Sequence, residues 1–164
     1  RQKMILGIDP GLENTGWGII NHQSSVDNYQ LIGCGVILTN NKNKSEERLE
    51  KIFEEVQKII KKYEVDEVAI ESMFFAKNAK SALKVAEAIG VIKVATKNLK
   101  RPVFEYTPLQ IKMALVGYGR AEKEQVEIMV KNCLNLDRDI QPSHAADAVA
   151  AALTHGFTMK TEKG

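Results

Sequence analysis

Apolar residues recur along this chain with two periods, and the switches between them outline the fold. Met4-Ile5-Leu6-Gly7-Ile8 is a short unbroken apolar run closed by Asp9. That is the pattern of a strand buried on both faces. Pro10-Gly11-Leu12-Glu13-Asn14 reads as a turn. Residues 15–21, with Trp17, Ile19 and Ile20, and residues 29–39 follow as strands. Their close spacing predicts an antiparallel meander. The polar loop Asn40-Asn41-Lys42-Asn43-Lys44 leads to Ser45, a suitable N-cap with Glu46 and Glu47 in the first turn. Leu49, Ile52, Phe53, Val56, Ile59, Ile60 and Tyr63 then keep helical spacing. Residues 65–71 form a fourth strand. The helix before it implies a right-handed crossover and a parallel pairing with the first strand.

The second half alternates in the same way. After a loop at Phe74-Phe75-Ala76-Lys77-Asn78, residues 79–98 predict a helix rich in small side chains, among them Ala82, Ala86, Ala88, Gly90 and Ala95. Small residues let another helix approach closely, within the chain or from a second subunit. Residues 102–106 form a fifth strand, and Thr107-Pro108 starts a short helix by capping and an N1 proline. Gly117-Tyr118-Gly119-Arg120 is a flexible basic break, residues 122–134 are helical, and Pro142-Ser143 opens a last helix expected to end near His155. The prediction is an α/β domain, a mixed five-stranded sheet flanked by helices.

Composition narrows the class. A chain of 164 residues, 44% hydrophobic and 27% charged, forms one globular domain over residues 1–164. Arg1-Gln2-Lys3 precede a methionine suited to a natural start and are expected to be foreign to it. No apolar run nears the ~20 residues of a membrane span, so no membrane partner is expected. Cys34 and Cys133 sit in apolar contexts and suggest thiols in a reducing cytoplasm. The formal net charge is +2, but it is unevenly spread. Residues 77–123 carry ten Lys/Arg against three Asp/Glu, a local +7 that leaves −5 for the rest. That asymmetry fits a polyanion partner as well as a basic solvated helix face.

Candidate chemistry gathers at element ends. Asp9 and Glu71 each close an apolar strand, and parallel pairing would bring them side by side beyond the carboxyl ends of the strands. Taken singly, Asp9 reads equally well as a turn former before Pro10-Gly11, and Glu71 as a solvated strand end. His144 and Asp147 share a helix face by their i, i+3 spacing. Capping and dipole roles suit them too, but Asp147 is embedded in Ala145-Ala146 and Ala148-Val149-Ala150-Ala151-Ala152-Leu153. A carboxylate buried there is costly unless paired or bound to metal. A cluster of carboxylates with an imidazole suits divalent metal and phosphoryl transfer.

Several blocks carry a resemblance. Gly7-Ile8-Asp9-Pro10-Gly11, Thr15-Gly16-Trp17-Gly18, Ala69-Ile70-Glu71, the loop Phe74 to Asn78 and Ser81-Ala82-Leu83-Lys84 resemble the RuvC family of Holliday-junction resolvases. So do Pro102-Val103-Phe104-Glu105-Tyr106, Gly117-Tyr118-Gly119-Arg120-Ala121-Glu122-Lys123 and His144-Ala145-Ala146-Asp147-Ala148. The resemblance spans residues 4–156 in the family's order. It implies a ribonuclease H-like fold and a cytoplasmic, homodimeric endonuclease that cuts four-way DNA junctions by paired symmetric nicks in recombination and repair. Asp9, Glu71 and Asp147 match its catalytic carboxylates, and His144 falls where many members have aspartate. The implied cofactor is magnesium, two ions per site, with manganese also active because imidazole is a softer ligand. Lys112 and Lys123 match basic residues of catalysis or DNA handling, and Lys123 suits stabilisation of phosphorane charge. Lys77, Lys80, Lys84 and Arg120 are expected on backbone phosphates, and Phe74 or Phe75 on an unpaired base. The subunit interface would fall on residues 79–98, and the RuvA-RuvB branch-migration complex is the implied partner. A DNA-binding protein without nuclease activity and an RNA-acting relative of the YqgF group are the competing readings. An actin-like kinase would need a duplicated domain that this length does not supply.

Overall fold

The computed structural model describes residues 2–72 and 79–163. The element order is β1 (Lys3–Asp9), β2 (Asn14–Gln23), β3 (Asn28–Leu38), α1 (Ser45–Lys62), β4 (Glu67–Glu71) and α2 (Ala79–Asn98). Then come β5 (Val103–Tyr106), α3 (Pro108–Leu115), α4 (Lys123–Cys133) and α5 (Ser143–Lys163). The strands form one sheet in the order β3-β2-β1-β4-β5. β1, β2 and β3 are the antiparallel meander, while β4 runs parallel to β1 and β5 parallel to β4. This is the mixed five-stranded sheet that the pattern predicts.

The side-chain period of two splits the core. Leu6, Ile8, Ile19, Val68 and Ile70 face α1 and α2, meeting Ile52, Val56, Ala88, Ile92 and Ala95. Ile5, Ile20, Ala69 and Tyr106 face the other way, toward Ile111 of α3, Val130 of α4 and Val149 to Leu153 of α5. Both faces of the central strands are therefore covered, which is why β1 and β4 read as unbroken apolar runs.

Two boundaries differ from the sequence reading. Lys44 occupies the N-cap of α1 without a side-chain cap, and Ser45 is already helical, with the acidic first turn meeting the dipole instead. α5 extends past His155 to Lys163. Its last turns are polar, but the hydroxyls of Thr154, Thr158 and Thr161 bond back to carbonyls one turn earlier. Phe157 also packs edge-on against Tyr29. Cys34 and Cys133 are free, half-buried thiols whose pKa values are raised by burial.

α5 lies against β1 and β2 at glycines. A β-carbon on Gly7 would stand 1.9 Å from the carbonyl oxygen of Ala148, and one on Gly16 would stand 2.0 Å from that of His144. The two contacts set both the depth and the register of the helix. The far end is tied by polar groups. His155 is fully buried, with Nε2 2.8 Å from Glu67 Oε1 and Nδ1 2.7 Å from the Tyr106 hydroxyl. Glu67 also pairs with Lys3 at 3.2 Å. A carboxylate only accepts, so Nε2 donates to Glu67 and Nδ1 accepts from Tyr106.

Gly7→Ala should destabilise the protein by about 1–3 kcal/mol, because the helix must lift off the sheet. Denaturant titration measures it, and an unchanged midpoint would show the seat to be slack.

Acid stability tests the far anchor. Burial lowers the pKa of His155 below its ordinary 6.5 and outweighs the opposing attraction of Glu67. Burial raises that of Glu67, but its bonds from His155 and Lys3 win and hold it below 4.5. Both groups bind more protons unfolded than folded. Their stabilisation is present at neutral pH and is lost as pH falls, His155 first, below about 6.5. The drop in unfolding free energy from about pH 7 to about pH 5.5 should be smaller in His155→Gln than in the wild type. Equal slopes would assign the acid loss to other groups.

Candidate metal centre and nucleic-acid face

The register of the sheet assembles the first half of the site. β1 and β4 pair through Ile8 and Ile70. One step further on, Asp9 and Glu71 leave the sheet side by side. Both point to the α5 face, the face of Gly7 and Ala69. The first turn of α5 supplies the second half. Its start is held by the Pro142 carbonyl, which accepts from Ala145 and Ala146 N–H. Because Gly16 admits the His144 backbone so closely, this turn sits directly above the end of β1.

Asp9, Glu71 and Asp147 each offer a carboxylate oxygen, and these atoms all lie within 4.8 Å of one another. All three residues are half-buried. Their mutual electrostatics are unfavourable. Burial first, and then the charges of Asp9 and Asp147, push the Glu71 pKa up to about 8, against the pull of Lys123 and Lys112. Burial also raises that of Asp9, helped by Asp147 and opposed by the hydrogen bond from His144. A divalent cation among the three would reverse these shifts by supplying the missing positive charge. An all-oxygen donor set of this kind fits magnesium or manganese, not a soft metal.

His144 stands beside the triad. Its Nδ1 lies 3.0 Å from Asp9 Oδ2, and its side chain is half exposed. It is not among the three mutually close donors, so it meets the site as a partner of Asp9. Lys123, the first residue of α4, places Nζ 3.6 Å from Asp147 Oδ2. Lys112 and Lys123 line an open cleft with Glu71, Asp147 and the apolar Ile111 and Val126. The cleft thus sets two lysines beside the three carboxylates, one of them paired with Asp147.

The other predicted contacts lie further out. Lys80 and Lys84 are exposed on the first turns of α2, and Arg120 is exposed in the connection before α4. Phe74, Phe75 and Lys77 lie outside the described residues. One participant escaped the sequence reading. Gln125 accepts from Glu122 N–H at 2.9 Å and from the Tyr118 hydroxyl at 2.8 Å, which fixes the start of α4 beneath Lys123. The local signal was present, since a Gln at the third helical position is half of a capping box.

Comparison with known proteins agrees with this geometry. The family model described as crossover junction endodeoxyribonuclease RuvC matches residues 5–155. The RuvC enzyme of Alkaliphilus oremlandii is 45% identical over 155 residues, covering 94% of this chain and 93% of its own. That of Clostridioides difficile is 43% identical over 160 residues, covering 98% and 94%. The solved structure of Thermus thermophilus RuvC in complex with Holliday junction substrate superposes with a TM-score of 0.92 at 35% identity, covering 98% of this chain and 96% of that one. The central acids, the sheet that sets them and these near full-length matches agree, and the chain belongs to the RuvC family of crossover junction endodeoxyribonucleases.

Proposed function

We propose that the protein resolves four-way DNA junctions by hydrolysing phosphodiesters in two symmetric strands, with divalent metal as cofactor. The observation that carries the reading is the carboxylate group of Asp9, Glu71 and Asp147, which is electrostatically costly without a cation. Two divalent ions about 4 Å apart, magnesium or manganese, would supply charge stabilisation at the attacking and leaving oxygens. Asp9, which meets His144 as well as the other two acids, would hold both ions, and Glu71 one. Asp147 and His144 are assigned to the other, on their shared first turn and the contact of His144 with Asp9. Lys123 is assigned to the charge that develops on the phosphate, which its place beside Asp147 supports.

Lys112, Lys80, Lys84, Lys77 and Arg120 are assigned to backbone phosphates, which fix position without reading sequence. Phe74 or Phe75, in the connection between β4 and α2, is assigned to an unpaired base. The exposed face of α2 supports the reading of a homodimer. Ala88, Ile92 and Ala95 bury against the core, while Leu83 and Val94 are exposed at 66% and 61%. With Ala86 and Gly90 they form an exposed stripe at i, i+3, i+7, i+11. A twofold pairing through that stripe would present two sites to a symmetric substrate. Among the described residues no helix is long and apolar enough to cross a membrane. Action on cytoplasmic DNA, and receipt of junctions from a RuvA-RuvB complex, rest on family membership alone.

A synthetic four-way junction and a linear duplex of the same sequence, each with and without magnesium or manganese, test the reaction. Cutting should need both the junction and a metal. Asp9→Asn, Glu71→Gln and Asp147→Asn should each lower single-turnover cleavage by more than roughly 100-fold while leaving junction binding intact. A variant that cuts near the wild-type rate loses its assignment.

Metal should also act on stability. The Glu71 pKa of about 8 means that the folded protein holds a proton that the unfolded chain, near 4.5, gives up. Its contribution to stability is present at low pH and is lost as pH rises toward about 8. The melting temperature of metal-free protein should therefore fall from about pH 6.5 to about pH 8.5. Manganese or magnesium should reverse the fall. Glu71→Gln should flatten it and blunt the rescue. A metal-independent melting temperature would mean that the acids do not share a cation.

A further inference from the structure

Lys123 occupies a position that helix physics disfavours. It is the first residue of α4, where the positive end of the helix dipole repels a cation. Its side chain is long and half exposed, so rotamer freedom alone would scatter the ammonium. What directs it toward Asp147 is the point at which α4 begins and the direction in which that first turn faces.

One amide oxygen fixes both. Gln125 Oε1 accepts from the Glu122 N–H, 2.9 Å away, and so pins the residue just before Lys123. The same oxygen accepts from the Tyr118 hydroxyl at 2.8 Å. The Gln125 N–H returns to the Glu122 carbonyl at 3.0 Å. Tyr118 belongs to the connection from α3, which touches the exposed Leu109 side chain at Gly119. A β-carbon on Gly119 would stand 2.2 Å from Leu109 Cδ1 on α3. Lys112 lies one turn along α3 from Leu109 and lines the same cleft as Lys123. The two lysines are thus carried on one arch, α3, connection and α4, closed at its α4 end by Gln125.

We infer that Gln125, through its paired bonds to Glu122 and Tyr118, is a positioning residue that holds the Lys123 ammonium at the metal-binding carboxylates during cleavage. The inference rests on the reading of Lys123 as the group that meets developing phosphate charge. It separates Gln125 from an ordinary cap, because loss of a cap costs stability and would leave the chemistry of folded protein alone.

The test is a double-mutant cycle on the full chain. Single-turnover cleavage of pre-bound four-way junction at saturating magnesium is measured for wild type, Gln125→Ala, Lys123→Ala and the double variant. Junction affinity and melting temperature are measured alongside. Gln125→Ala should cut about tenfold to a hundredfold more slowly at unchanged junction affinity, as a misplacement of about 1 Å can cause. In the Lys123→Ala background the same change should have no further effect. Gln125→Glu keeps an acceptor oxygen in place and should restore most of the rate, and Tyr118→Phe should lie between the two. Should Gln125→Ala fail to fold at the assay temperature, Tyr118→Phe, which leaves the helix cap intact, takes its place in the cycle.

Gln125→Ala cutting at the wild-type rate while Lys123→Ala does not would overturn the inference and leave the role of Lys123 standing. Equal losses from Gln125→Ala in both backgrounds would also overturn it, since the effect would then bypass Lys123. Near wild-type cutting by Lys123→Ala would remove the reading beneath it.

Discussion

At Gly7 and Gly16 the backbone of α5 stands where β-carbons would otherwise be, with Ala148 O and His144 O within 2.0 Å of those positions. Gly18, paired with Gly7 across the β1–β2 ladder, makes room for the Val149 side chain, whose Cγ2 would stand 2.3 Å from a β-carbon there. A helix packs on a sheet at a distance set by the side chains between them. Here the sheet contributes none along this track, and alanines on α5 keep the gap narrow. The geometry of the acidic cluster depends on this closeness. Were α5 lifted by one methyl group, Asp147 and His144 would move away from Asp9, whose position is set independently by β1. The three carboxylates belong to elements far apart in the chain, and the glycine track is what makes their separation reproducible.

Closeness has an electrostatic cost that the fold does not cancel by itself. The neighbours of Glu71 include two positive groups, Lys123 and Lys112, yet burial and the two aspartates still prevail. Lys123 is exposed enough for solvent to weaken its pull, whereas burial and the neighbouring aspartates weigh more on Glu71. A site neutralised by buried ion pairs would be more stable without metal and would have nothing left with which to bind it. Residual repulsion of this kind would favour the binding of a cation.

Much of this was legible in the sequence, for reasons that differ from residue to residue. The strands of the central sheet were readable because burial on both faces leaves an unbroken apolar run, and the run's end locates Asp9 and Glu71. The crossover through α1 was readable from its seven-residue apolar stripe. The contact between Asp9 and His144 joins residues 135 apart and leaves no periodic trace. It became visible only through the resemblance of motifs. The depth of α5 was hidden too, since Gly7, Gly16 and Gly18 look like weak strand residues until the helix above them is known. The last turns of α5 were missed because the residues after His155 are mostly polar, although Phe157 still packs against Tyr29. Ser45 shows the opposite error, a good capping residue passed over because Lys44 already has the extended backbone that a cap needs.

The helix that brings Asp147 to the acidic cluster also carries a buried polar anchor, His155. From Asp147 to His155 is two turns, about 12 Å along the axis. At one end α5 meets like charges, and at the other it makes a buried chain of bonds through His155 to Glu67 and Tyr106. Both sets of partners lie on β1, β4 and β5: Asp9 and Glu71 end their strands, Glu67 begins β4, and Tyr106, in register with Glu71, reaches His155 through its side chain. A rigid helix held at its distal end and along its glycine track cannot relax the repulsion at its proximal end by sliding away. Local destabilisation of this kind persists when the surrounding structure over-determines it. Without that distal hold, the acids would relieve their repulsion by separating. With it, the remaining routes to lower energy are a proton, which Glu71 keeps up to about pH 8, or a cation that would take the proton's place.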